Sequence, residues 1–291
     1  MSWAVVVHGG AGEWDPARHD AALAGTRAAA ALAARDLQQG RSALDAAVTA
    51  VNALEDDPLF NAGTGSVLNR DGDVEMDASV ATGHDLGFGA VAAIRRVRNP
   101  ILVARKVLES SGHVLLAGDG ALRFAREQGF DDYDPATTQA RAEWQRAQQN
   151  ARLGTVGAVA LDSGGRLAAA TSTGGTLLKL PGRVGDSPLP GAGTYATAHA
   201  AVSATGRGEL IMRMVAAKSI CDFVENGYSM RDALNRILAA MRASVGADAG
   251  FIAISHDGSV AFAHGTAFMV HAWATSSHPE IVAAMRAEAS A

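Results

Sequence analysis

The sequence predicts an α+β protein in which sheets pack face to face with helices outside them. Three observations predict this. Both halves of the chain mix amphipathic helical runs with short apolar strands. The runs do not follow a regular β-α-β alternation, and several neighbouring strands are joined by tight Gly, Asn or Asp turns, the chemistry of antiparallel hairpins. Hydrophobic residues make up 48% of the chain and charged residues 19%, which supplies a large core. No repeat at a solenoid period is present.

Residues 3–8 read as a short apolar strand that Gly9-Gly10-Ala11-Gly12 ends. Asp15 caps a long Ala-rich helix to about residue 38, with Pro16 at its first position. Ser42 caps a second helix, with Asp45 three residues on in the manner of a capping box. A glycine-rich loop follows, Pro58-Leu59-Phe60-Asn61-Ala62-Gly63-Thr64-Gly65-Ser66, then an expected hairpin of 67–68 with 74–77 about the turn Asn69-Arg70-Asp71-Gly72. Residues 89–97 read as a strand, and Pro100 and Asp119 open further helices. Residues 129–154 form the one linker-like stretch, polar and with little to bury beyond Trp144. Beyond it the pattern is strand-rich. Residues 155–161 pair with 167–173 across Ser163-Gly164-Gly165-Arg166, and 193–196 and 201–204 are two more strands. Residues 208–226 and 230–245 read as long helices, 251–255 and 260–264 as a hairpin, 269–274 as a last strand, and Pro279 as the start of a terminal helix.

Composition excludes several functions. A formal net charge of -5 leaves no basic footprint for nucleic acid or anionic membrane. No run is long enough to span a membrane, and the first residues lack the basic start of a secretory signal. The single cysteine, Cys221, lies in an apolar helical run and reads as a small core residue. The expected setting is soluble and cytoplasmic. Two Gly-rich loops imitate a dinucleotide fingerprint, but Asp15 and Leu68 stand where the third glycine belongs. Neither a Walker loop, a Gly-x-Ser-x-Gly elbow nor metal-ligand histidine spacing occurs.

What carries chemistry is a set of small polar residues among glycines. Gly154-Thr155 stands at the entrance to an apolar strand, either as an ordinary loop glycine or as a self-cleavage site that makes Thr155 an N-terminal nucleophile. The following hairpin returns Thr173, in Thr171-Ser172-Thr173-Gly174-Gly175, to the neighbourhood of Thr155. Arg183 and Asp186, in Pro181-Gly182-Arg183-Val184-Gly185-Asp186-Ser187-Pro188, are either a surface ion pair or a fixed cation and anion for the two ends of an amino acid. Thr205-Gly206 leaves a strand for a helix start, where N–H groups are free to bind an oxyanion.

Together with Val7-His8-Gly9-Gly10-Ala11-Gly12 and Pro58-Leu59-Phe60-Asn61-Ala62-Gly63, these blocks resemble, in the same order, the plant-type L-asparaginase/isoaspartyl aminopeptidase family of N-terminal nucleophile hydrolases. The resemblance implies one domain over residues 1–291 with a four-layer αββα sandwich. It implies autocleavage between Gly154 and Thr155 into an α subunit 1–154, with 129–154 as its tail, and a β subunit 155–291. It implies Thr155 as nucleophile, Thr173 as its hydrogen-bond partner, Thr205 and Gly206 as oxyanion hole, Asn61 near the freed amine, and Arg183 and Asp186 on the substrate α-carboxylate and α-amino groups. It implies no cofactor for catalysis, and a structural sodium ion held by the backbone carbonyls of Leu54, Glu55, Asp57, Phe60, Ala62 and Thr64. The substrate is then L-asparagine or a β-aspartyl dipeptide, and the assembly a homodimer of cleaved protomers, with no nucleic-acid or membrane partner. A glycosylasparaginase-like hydrolase and a non-cleaving amino-acid binder are the alternatives. The chain departs from the family pattern at Arg207, directly after Thr205-Gly206, which faces either the pocket or solvent; at Thr197-Ala198-His199-Ala200-Ala201; and at Phe262-Ala263-His264-Gly265-Thr266.

Overall fold

The computed structural model describes residues 2–146 and 154–286. Strand β1 (Ala4–Gly12) is followed by a 3-10 turn, Pro16–Arg18, and helices α1 (His19–Gln38) and α2 (Ala43–Asp56). Then come β2 (Met76–Thr82), β3 (Gly87–Ile94), α3 (Pro100–Ser110), β4 (Leu115–Ala117), α4 (Gly118–Glu127) and α5 (Thr138–Arg146). The second half holds β5 (Val156–Leu161), β6 (Leu167–Thr173), β7 (Thr194–Ala196), β8 (Ala200–Gly206), α6 (Gly208–Met214), α7 (Ala216–Glu225) and α8 (Met230–Val245). It ends in β9 (Ala249–Ser255), β10 (Val260–His264), β11 (Phe268–Thr275) and β12 (Val282–Ala284).

Two sheets form. The larger runs β12-β11-β1-β5-β6-β2-β3-β4 and the smaller β10-β9-β8-β7. The pairs are antiparallel except β3 with β4. Side chains alternate along each strand, so the central strands divide their residues between two cores. Val5 and Val7 of β1, with Ala158 and Ala160 of β5, join one core with α1, α2 and α3. Ala4 and Val6, with Val159 and Leu161, join a second with Ile252 and Ile254 of β9. The other face of β9, Phe251 and Ala253, packs with Ile220 of α7 and Leu234 and Ile237 of α8. Both faces of β5 are therefore buried, which explains its unbroken apolar run.

Ser42 caps α2 as the sequence predicts, its Oγ accepting the Asp45 N–H at 3.1 Å. Asp15 Oδ1 accepts the Ala17 N–H at 3.0 Å but caps only the 3-10 turn, and α1 begins at His19 without a side-chain cap. Four expectations fail for tertiary reasons. First, Gly9–12 does not end β1, which continues past a register shift between His8 and Gly10. A Cβ at Gly9 would stand 2.4 Å from the Phe60 ring. Second, 67–68 and 74–77 form no hairpin. Asn69 Oδ1 captures the N–H groups of Asp71 and Asp73, while Leu68 O and Arg70 N bond to Leu178 and Lys179. Third, the helix expected over 208–226 breaks at Val215, which is left-handed with φ +45°. The break frees the first-turn N–H groups of α7, and Ala217 and Lys218 donate them to Ala192 and Gly191 carbonyls. Fourth, the segment after Pro279 becomes β12, because the edge of β11 offers it a partner.

The polar stretch 129–154 is more anchored than its composition suggests. Arg96 and Arg126 pair with Asp132, and Trp144 Nε1 donates to Asn69 O at 2.8 Å. Its residues 147–153 lie outside those described. Among the described residues no helix is long and apolar enough to cross a membrane. Cys221 is buried in α7, and burial pushes its thiol well above the usual range.

Candidate active site

The β5–β6 hairpin brings Thr155 and Thr173 together, as the spacing predicts. Val156 pairs with Ser172, and Thr155 Oγ1 donates to Thr173 Oγ1 at 3.4 Å. Thr173 also accepts the Gly175 N–H at 2.9 Å and donates to the Gly154 carbonyl at 2.7 Å. Its hydroxyl geometry is thereby fully specified.

Asn61 reaches the same carbonyl from the opposite loop. Its Nδ2 donates to Gly154 O at 2.9 Å and Gly175 O at 2.8 Å, and its Oδ1 accepts Val67 N–H at 2.9 Å. All three contacts agree on the amide orientation. The Gly154 carbonyl thus faces two preset donors, from Asn61 and Thr173, while the hydroxyl of the next residue lies against Thr173. A carbonyl polarised this way is primed for attack, because negative charge developing on its oxygen is already met. Gly154 itself is constrained: a Cβ there would stand 3.0 Å from Asn61 Cβ.

Behind the nucleophile candidate lies a buried polar chain. His8 Nε2 bonds Ser203 Oγ at 3.1 Å, Ser203 bonds Thr171 at 2.7 Å, and Thr194 donates to Thr171 at 2.6 Å. Gly157 makes room for it, since a Cβ there would stand 2.1 Å from Ser203 Oγ. Burial lowers the His8 imidazole to about 3, against a partly offsetting hydrogen bond to the Thr155 backbone. His8 is therefore neutral at working pH and positions β5 rather than carrying charge. The sequence showed these residues only as strand positions; their contacts cross between the two sheets.

Arg183 and Asp186 line one small pocket with Thr155, Thr173 and Gly206. Arg183 Nε donates to Glu209 Oε1 at 2.8 Å. Glu209, near the start of α6, carries no distinguishing signal in the sequence, where it is one more charge at a helix start. Asp77 fixes the loop by accepting the Gly185 N–H at 2.9 Å and that of Ala93 at 2.8 Å. Asp186 is buried, and among the described residues its Oδ2 has no hydrogen-bond partner. Burial raises its carboxyl to about 7, opposed by its backbone hydrogen bond and by Arg183, and supported by Asp77 and Glu209. A buried carboxyl with one unpartnered oxygen, in the lining of a pocket, is an arrangement that a cation would satisfy. Gly208 admits both groups, since a Cβ there would lie 2.7 Å from Asp186 Oδ1 and 2.9 Å from an Arg183 nitrogen.

Thr205 is buried, and its Oγ1 accepts the Ala11 N–H at 3.1 Å, which leaves its own proton free to donate onward. Gly206 has φ +147°, a conformation that favours glycine. Arg207 is exposed and absent from the pocket lining, so it faces solvent.

The loop after α2 curls on itself. Thr64 N donates to Glu55 O at 2.7 Å, and Cβ atoms on Gly63 and Gly65 would stand 2.6 and 2.5 Å from the Glu55 and Pro58 carbonyls. Pro58 lies four residues after Leu54 and has no N–H to return to the Leu54 carbonyl. The Glu55 side chain is buried, and burial raises it to about 8. The loop therefore offers neutral carbonyl oxygens, a donor set that suits a hard monovalent cation.

The family profile described as Asparaginase matches residues 1–283. A plant-type L-asparaginase of Pyrococcus abyssi is 44% identical over 93% of this chain and 95% of its own. An isoaspartyl peptidase of Salmonella typhimurium is 44% identical over 92% of this chain and 94% of its own. An isoaspartyl peptidase/L-asparaginase of Danio rerio is 42% identical over 88% of this chain and 86% of its own.

Proposed function

This chain belongs to the asparaginase family, and on that premise we propose that it is a self-processing threonine amidohydrolase acting on L-asparagine and β-aspartyl dipeptides. The carrying observation is the Gly154 carbonyl held between Asn61 and Thr173, with the Thr155 hydroxyl alongside.

Self-cleavage begins as Thr155 Oγ1 attacks the Gly154 carbonyl carbon. The oxyanion forms against Asn61 Nδ2 and the Thr173 hydroxyl. The C–N bond breaks, the nitrogen takes the hydroxyl proton, and a Gly154–Thr155 ester results. Water hydrolyses that ester, giving subunits 1–154 and 155–291. Cleavage converts the Thr155 nitrogen from an amide, which is no base, into an amine of ordinary pKa about 7.7–8.0, suited to accept its own hydroxyl proton.

In turnover the substrate α-carboxylate sits on Arg183 and its α-ammonium on Asp186, which presents the side-chain carbonyl to Thr155. Thr205 and the Gly206 N–H receive the second oxyanion. The amine takes the hydroxyl proton and passes it to the departing nitrogen. Water then releases aspartate from the acyl-enzyme. Two sheets with helices outside them support a four-layer αββα sandwich, and the working form proposed is a cytoplasmic homodimer of cleaved protomers.

Purified protein incubated at neutral pH will give two masses, matching 1–154 and 155–291, at twice the protomer mass under native conditions. It will release aspartate from both substrate types. A single uncut chain without turnover refutes the proposal.

A sodium ion in the carbonyl loop, held by Leu54, Glu55, Asp57, Phe60, Ala62 and Thr64, would fix the loop that carries Asn61. Replacing sodium by choline at constant ionic strength will lower the unfolding midpoint by about 5 °C if sodium exceeds its Kd about a hundredfold. An unchanged midpoint across sodium concentrations counts against the site.

A further inference from the structure

A second cavity, of ≈ 240 Å³, adjoins the aspartyl pocket, and Gly154 is the one described residue that lines both. Its walls include Gly10 and Asn61 near the cleavage point, Trp14 and Leu59 as apolar surface, and Arg18 and Glu143 as a charged pair. An apolar cavity of about 150 Å³ admits benzene, so this one has room for an amino acid. Resting on the reaction proposed above, we infer that this cavity receives the leaving amino acid of a β-aspartyl dipeptide, and that Arg18 binds that residue's carboxylate.

The geometry follows from the division of space. The aspartyl half of the substrate is committed to Arg183 and Asp186, so the leaving nitrogen must point out of that pocket. Gly154 stands between the two cavities, and its release by cleavage joins them. Arg18 is half-buried. One of its nitrogens donates to Leu59 O at 3.3 Å, and the other stands 3.7 Å from a Glu143 carboxylate oxygen. Glu143 lies in the segment whose end cleavage releases. Its carboxylate therefore marks where an anion is stable, and a substrate carboxylate takes the same place at the guanidinium fork. Trp14 and Leu59 offer an apolar side chain its contact surface. Glu13 and Asp15 also line the cavity, so a leaving residue with a second carboxylate is disfavoured.

The test uses processed enzyme, with cleavage verified by mass, and three substrates: β-aspartyl-leucine, β-aspartyl-leucinamide and L-asparagine. Wild type is expected to prefer the free acid over the amide by about tenfold or more in kcat/KM, mostly through KM. Arg18→Gln removes that preference by weakening the acid alone, and Arg18→Lys restores part of it. L-asparagine, which has no leaving residue, stays within about twofold throughout. Equal wild-type rates on acid and amide, or a parallel fall on both in Arg18→Gln, overturn the assignment without touching the reaction. A wild type inert on all three substrates instead refutes the reaction, and this subsite with it. The acid-to-amide ratio in wild type needs no variant, so a poorly folding substitution leaves the test intact.

Discussion

Thr155→Ala will remain one full-length chain and will lose turnover of L-asparagine and β-aspartyl dipeptides, with kcat at least about 10⁴-fold lower. The effect is large because one hydroxyl serves twice. It cuts the chain, and the cut then frees the amine that activates it. The loss is chemical rather than structural. Among the described residues Thr155 Oγ1 hydrogen-bonds to Thr173, and the strand that follows is held by register to both β1 and β6. Thr155→Ser keeps a hydroxyl and will process more slowly, since the Thr methyl that restricts side-chain rotation is gone. Intact mass over time reads both variants. Normal cleavage in the alanine variant would falsify the self-attack mechanism.

Asp186→Asn will raise KM for L-asparagine at pH 8 by at least about 30-fold, because a charged partner is removed from a desolvated pocket. Wild type supplies the pH signature. Burial raises the Asp186 carboxyl to about 7. Below that pH the free enzyme holds it protonated, and binding the substrate ammonium must expel the proton. KM therefore rises as pH falls below about 7, approaching tenfold per unit. In the complex the ammonium pins Asp186 ionised, so kcat lacks this break and reports the Thr155 amine instead. The groups around the carboxyl are Arg183, Asp77 and Glu209, and of these only Arg183 opposes the upward shift. In Asp186→Asn the break in KM disappears. A variant that keeps the wild-type KM profile removes Asp186 from ammonium binding.

The candidate site was legible because its chemistry is concentrated in short blocks. Thr155 and Thr173 are joined by a hairpin whose turn and short apolar runs are both local, so their meeting follows from register alone. Arg183 and Asp186 share one loop. Asn61 came from the resemblance, and the structure adds its contact with Gly154 O. Glu209, Ser203 and the cavity on Arg18 were not legible, because each acquires meaning from a partner far away in the chain. Ser203 meets His8 across 195 positions, and Arg18 meets Glu143 only after the linker segment folds back.

The sequence by itself determined where most helices start, that an apolar strand follows Thr155, and which hydroxyl follows Gly154. Caps, periodicity and turn chemistry are local, and local rules suffice for them. The tertiary structure alone decided the break at Val215, the strand after Pro279, the absence of a hairpin over 67–77, and the solvent-facing side chain of Arg207. In the first three, backbone N–H and C=O groups found distant partners that local preference does not register. The two donors on the Gly154 carbonyl are of the same kind: a strand end and a loop, brought to one oxygen by the packing of β6 and the turn after α2.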